Sequence, residues 1–120
     1  MPVRNYRDLI AWKKAMELAL AIYQETTFFP AEEKYGLTSQ LRKAGISVPS
    51  NIAEGEGRKS AGEFRHHLSI AHGSLREIET QALISDRLGY LRKNVIDQLM
   101  GMSSEVGRLI NGLSRSLIKG

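Results

Sequence analysis

Residues 60–89, SAGEFRHHLSIAHGSLREIETQALISDRLG, carry apolar side chains at Phe64, Leu68, Ala71, Leu75, Ile78 and Ala82. The spacings are 4, 3, 4, 3 and 4 residues. That rhythm puts all six on one stripe of an α-helix and fits no strand, whose side chains alternate every second residue. Ser60 and Glu63 stand at the spacing of a capping box, in which each side chain satisfies an orphan N–H of the other residue. Gly89 is the expected stop, because a helix often ends on a residue in the left-handed conformation that glycine adopts freely.

Working outward, three breaks give four helical segments at about 6–26, 31–55, 61–88 and 95–118. The breaks hold Phe28-Phe29-Pro30, then Gly55 to Ser60, then Gly89 to Asn94. In the first segment Leu9, Trp12, Met16, Ala19 and Tyr23 make the apolar stripe. In the second, Pro30 with Glu32 and Glu33 suits a helix start, and Leu37, Leu41, Ala44, Val48 and Ile52 face the core. Pro49 lies inside that segment and predicts a kink or a lost backbone hydrogen bond. Asn94 is the expected cap of the fourth, where Val95, Leu99, Met102, Val106, Leu109 and Leu113 repeat the period. Gly101, Gly107 and Gly112 weaken that helix and leave room for a close neighbour. Short loops between long amphipathic helices predict an all-α, antiparallel up-down-up-down four-helix bundle forming one domain over residues 1–120.

Composition sets the function classes. There is no cysteine, which removes disulfides, thiolate metal sites and cysteine nucleophiles and fits a reducing cytoplasm. The first residues lack the apolar core and cleavage site of a signal peptide, and no apolar run approaches a membrane span. Lys plus Arg number 17 against 13 Asp plus Glu, a net charge of +4 that permits polyanion binding without requiring it.

Off the apolar stripes, charge falls in rows. One flank of residues 61–88 carries Arg65, Ser69, His72, Arg76, Leu83 and Arg87, with no acid among them. The other flank carries Glu63, Ile70, Ser74, Glu77, Gln81 and Leu88, a mixed surface suited to a protein contact. Arg108, Arg115 and Lys119 lie opposite the stripe of the last helix. Arginines one or two turns apart can meet successive phosphates, each adding to a salt-dependent affinity. With Arg58 and Lys59 of the second break, these are the candidate nucleic-acid contacts. Only Phe28, Phe29 and Tyr90 are placed to stack on bases, so phosphate or shape recognition is expected over sequence readout.

Catalytic patterns are missing. Glu63-Phe64-Arg65-His66 is the only Glu-x-x-His, and its Glu63 and His66 lie off the core stripe, so no di-iron site is expected. His66, His67 and His72 offer no i, i+4 pair for a metal. Gly55-Glu56-Gly57-Arg58-Lys59-Ser60 lacks the spacing and the preceding strand of a phosphate loop. No serine has an evident His and acid partner. The expectation is a non-enzyme without metal or cofactor.

The stretch Tyr35-Gly36-Leu37-Thr38-Ser39-Gln40-Leu41-Arg42-Lys43-Ala44-Gly45-Ile46-Ser47-Val48-Pro49-Ser50-Asn51-Ile52-Ala53-Glu54-Gly55 resembles the signature of the bacterial four-helix bundle proteins encoded in intervening sequences of 23S ribosomal RNA genes. Tyr6 to Ala15, Gly57-Arg58 and Glu63-Phe64 look like the same family, so the resemblance spans about residues 5–91. It extends to the accessory protein of diversity-generating retroelements, a basic barrel of five bundles that binds nucleic acid and a reverse transcriptase. The resemblance implies a homo-oligomer, a pentamer by that analogy, with RNA or DNA and a nucleic-acid enzyme as partners. Within the signature, Gln40, Lys43, Ser47, Asn51 and Glu54 form a polar ridge at spacings of 3, 4, 4 and 3. Flanked by the small Gly36, Ala44 and Gly45, and with the helix-shaping Pro49 and with Gly55 in the same motif, that ridge suits packing and assembly. The alternative is a protein-interaction adaptor working through the Ile70–Leu88 flank or the open end of an oligomer.

Overall fold

The computed structural model describes residues 5–118, in which four helices run α1 (Ile10–Thr26), α2 (Leu37–Glu56), α3 (Ala61–Arg87) and α4 (Lys93–Ile118). Each packs on its chain neighbours, and α4 returns to α1, so the four stand as the corners of a square with α1 diagonal to α3. The bundle measures 49 × 24 × 21 Å. It is an all-α, up-down-up-down four-helix bundle. Among the described residues no helix is long and apolar enough to cross a membrane.

The core follows the apolar periodicity most closely in α2 and α3. Leu41, Val48 and Ile52 meet Leu68, Leu75 and Ile78, all buried. Two helices are rotated from the expected stripes. In α1 the buried residues are Ala11, Ala15, Leu18, Ala19, Ile22 and Thr26, while Trp12 and Met16 are half-buried and Tyr23 is exposed. In α4 they are Ile96, Leu99, Ser103, Val106, Gly107 and Ile110, with Val95, Met102, Leu109 and Leu113 at the edge. Small side chains on the inward face of α1 let its neighbours close in, and the bulky aromatics are left on its flank.

The ends differ from expectation in detail. The first segment is broken at the extended residue Leu9, with a separate 3-10 turn at Tyr6–Asp8 capped by Asn5. The second begins as a 3-10 turn at Ala31–Glu33, and α2 proper starts only after Gly36, where the Glu33 carboxylate accepts the Leu37 N–H at 3.0 Å. Pro49 does not interrupt α2, which runs unbroken through it. Ser60 accepts the Glu63 N–H at 3.1 Å, but the Glu63 carboxylate takes the Ser60 hydroxyl at 3.3 Å, so the capping box is half made. The α3 terminus is as expected: Gly89 has φ +82°, its N–H goes to Asp86 O and that of Tyr90 to Ser85 O at 2.9 Å. Asn94 falls inside α4, which starts one residue earlier.

Candidate nucleic-acid interface and the signature seam

The polar ridge of α2 turns inward, onto α3. Ser74 donates its hydroxyl to Ser47 Oγ at 2.8 Å. Asn51 donates Nδ2 to Ser47 O at 2.9 Å, which leaves its Oδ1 3.1 Å from His67 Nδ1. The tautomer that satisfies both ring nitrogens has Nδ1–H donating to Asn51 and Nε2 accepting from Arg58 Nε at 3.3 Å. Arg58 also pairs with Glu54 at 2.8 Å. Gly55 makes this approach possible, since a Cβ there would stand 2.8 Å from His67 Cβ and 2.9 Å from Phe64 Cδ1. Gln40 and Lys43 lie beyond the contact and are exposed. Ser74, expected on a surface flank, is buried by this seam.

Between α3 and α4 the flanks are polar and small, and the seam stays open. A cavity of about 420 Å³ takes its walls from Arg65, Ser69, His72, Asn111 and Ser114. An adjoining one of about 300 Å³ shares His72 and Asn111 and continues to Arg76, Glu79, Ser104 and Arg108. Arg65, Arg76 and Arg108 are thus gathered along one groove. The expectation of a row without acid needs correction. Glu79, one turn from Arg76, receives its guanidinium at 2.9 and 3.1 Å and the Ser103 hydroxyl at 2.7 Å. Arg76 is therefore partly neutralised, whereas Arg65 and Arg108 form no ion pair among the described residues. Arg108 is steadied by donating to Ser104 Oγ at 2.8 Å.

The other basic candidates are dispersed. Arg58 and Lys59 sit in the α2–α3 turn, at the same end as exposed Arg115 in the last turn of α4. Arg87 closes α3 at the opposite end. Lys119 lies outside the described residues. Of the expected stacking residues, Phe29 is buried against Tyr90 with ring centroids 5.4 Å apart, and Tyr90 donates its hydroxyl to Glu33 at 3.1 Å. Burial first, and then the Glu33 carboxylate, raise the Tyr90 pKa. Among the described residues no three His, Asp or Glu side chains are grouped to hold a metal ion.

Sequence reasoning missed an apolar groove. Trp12, Met16, Leu20, Ile46, Pro49 and Ala53 line a groove between α1 and α2. Leu20 is 58% and Ile46 46% exposed. The signal is present in the sequence, since Trp12, Met16 and Tyr23 share a flank that holds no charge, but their period is also that of a core stripe.

A family model described as 23S rRNA-intervening sequence protein matches residues 7–112. Among solved structures, a protein of unknown function from the S23 ribosomal protein family of Bacteroides thetaiotaomicron superposes with a TM-score of 0.78. It is 22% identical, and the alignment covers 88% of this chain and 98% of that one, a likeness of fold. No curated protein matches the chain.

Proposed function

The chain belongs to the 23S rRNA-intervening sequence protein family, and from that premise we propose that it is a non-catalytic, cytoplasmic, homo-oligomeric bundle that binds structured RNA or other nucleic acid through phosphate contacts in the α3–α4 groove. One observation carries the reading. Arg65, Arg76 and Arg108 line two adjoining cavities that share His72 and Asn111, and Glu79 is the one acid in their walls. Guanidinium groups with hydroxyl and amide neighbours suit phosphate oxygens. No Phe, Tyr or Trp ring lines the groove, and His72 is its one aromatic side chain, which favours duplex or folded nucleic acid over stacked single strands. The test is fluorescence anisotropy with an RNA duplex, the matching DNA duplex and heparin as competitor, over roughly 50–300 mM salt. Affinity that falls steeply with salt supports the reading, and an RNA–DNA difference names the ligand. No binding at the lowest salt refutes it.

The second reading, a protein-contact surface, is favoured by the α1–α2 apolar groove more than by the Ile70–Leu88 flank. Exposed Leu20 and Ile46 around half-buried Trp12 make a strip suited to another copy of the chain or to a nucleic-acid enzyme. Sedimentation mass of the wild type and of a Leu20→Asp, Ile46→Asp double variant separates the two partners. A wild-type oligomer reduced to monomer assigns the strip to self-association.

A further inference from the structure

At the end where α1 stops and α2 begins, the α1–α2 seam changes character. A cavity of about 500 Å³ is walled by Tyr23, Tyr35, Lys34, Arg42 and Lys43, and no carboxylate lines it. The Tyr35 ring is 86% exposed, with Lys34 Nζ 5.5 Å from its centroid. Arg42 is held in place: Nε donates to Thr26 Oγ1 at 2.9 Å, Nη2 to Tyr23 O at 3.3 Å, and the guanidinium lies 4.5 Å from the Tyr23 centroid. Its Nη1 makes no hydrogen bond among the described residues. The hydroxyls of Thr38 and Ser39 complete the wall. Glu33, the acid next to Lys34 in sequence, is occupied by the Leu37 N–H and the Tyr90 hydroxyl.

A flat ring in solvent, three cations and two hydroxyls are complementary to one chemistry, a planar base joined to a phosphate. Base stacking on an aromatic face is tolerant of sequence, and cations beside it follow the backbone. An acidic peptide would satisfy the cations but would leave the Tyr35 face unused. We propose that this end of the α1–α2 seam binds unpaired nucleotides of a single strand, one base stacked on Tyr35 and the adjoining phosphates held by Lys34, Arg42 and Lys43. The site lies on the opposite face from the α3–α4 groove, and it stands whether or not that groove binds a duplex.

The experiment is anisotropy of a labelled oligouridylate of about eight nucleotides, a length within the footprint of single-strand binding modules, on the full chain at low salt. Tyr35→Ala is expected to weaken binding roughly five-fold or more, the scale of one lost stacking contact, and Tyr35→Phe to retain it. Duplex binding by Tyr35→Ala is expected to stay at the wild-type level, and Arg65→Ala to leave the oligouridylate unaffected. Tyr35 touches little besides Lys34, so the variant keeps its fold, and an unchanged melting curve checks this. Wild-type affinity in Tyr35→Ala, absence of oligouridylate binding, or displacement by a polyglutamate peptide more readily than by unlabelled oligouridylate would each overturn the proposal. A failure confined to the duplex arm would instead count against the α3–α4 reading.

Discussion

The α1–α2 and α3–α4 seams lie on opposite faces of the same square bundle, yet one is lined by Trp12, Met16, Leu20, Ile46 and Pro49 and the other by Arg65, Ser69, His72, Arg108 and Asn111. Both are built from antiparallel helices with apolar inward stripes. The difference resides in residues one step off the stripe, which the core does not constrain. Where the flank is bulky and uncharged, the seam offers apolar area. Where it is small and polar, with Ser69, Gly73 and Gly107 between arginines, it stays open to water and to anions. The α2–α3 seam between them is closed by Gly55 and by the Ser47–Ser74 and Asn51–His67 contacts. The family signature therefore contributes Ser47, Asn51 and Gly55 to the α2–α3 seam and leaves Tyr35, Ser39 and Lys43 on a surface.

Breaking the polar face has the largest expected effect. Reversing Arg65 and Arg108 to glutamate together should weaken duplex binding at least about tenfold and lower the salt slope by roughly 0.7–0.9 per lost phosphate contact. Anisotropy at several salt concentrations reads both. Arg76→Glu is a poorer probe, since it also strands Glu79 beside a new acid. On the apolar face, Leu20→Asp with Ile46→Asp should abolish self-association in sedimentation while leaving duplex binding per chain intact. If the double variant loses duplex affinity as well, the two faces are not independent.

The seam that joins the faces answers to glycine. Gly55→Ala forces a contact near 2.8 Å with His67. Overpacking of about 1–3 kcal/mol then outweighs the roughly 1 kcal/mol gained in helix propensity. The melting temperature should fall by several degrees. Gly112→Ala, where a Cβ meets nothing within 4 Å, should raise it instead. The smallest effect concerns Tyr90. Its pKa is raised by burial and by Glu33, so the folded state favours the neutral phenol. The associated stability is complete below the ordinary tyrosine range near 10 and is lost as pH rises through the raised value. Tyr90→Phe should flatten that alkaline decline in melting experiments.

Much of this architecture was legible in the sequence. The 4, 3, 4, 3 rhythm from Phe64 to Ala82, the Gly89 stop and the breaks around Pro30 and Gly55 delimit the four helices. The rotation of α1 was not legible. Trp12, Met16 and Tyr23 repeat at the same period as Ala11, Ala15, Leu18 and Ile22, and hydrophobicity ranks the larger set first. Only the close packing of α2 and α4 against α1 selects the small one. Glu79 was missed for a similar reason: it sits at the margin between stripe and flank, and its reach to Arg76 and Ser103 depends on where α4 lies. The gathering of Arg65 and Arg108 across two helices likewise depends on which helices become neighbours. Tyr35 escaped notice because a single exposed ring leaves no periodic trace.

The division between faces can be tested directly because the chain has no cysteine. A single cysteine at Ser69 in the polar groove, and in a second protein at Ser50 beside the apolar one, can each carry a photo-crosslinker. Mixed with duplex RNA and irradiated, the Ser69 protein should capture the duplex in a salt-sensitive manner and the Ser50 protein should not. Equal capture from both positions, or capture from Ser50 alone, would contradict the assignment of phosphate binding to the α3–α4 groove.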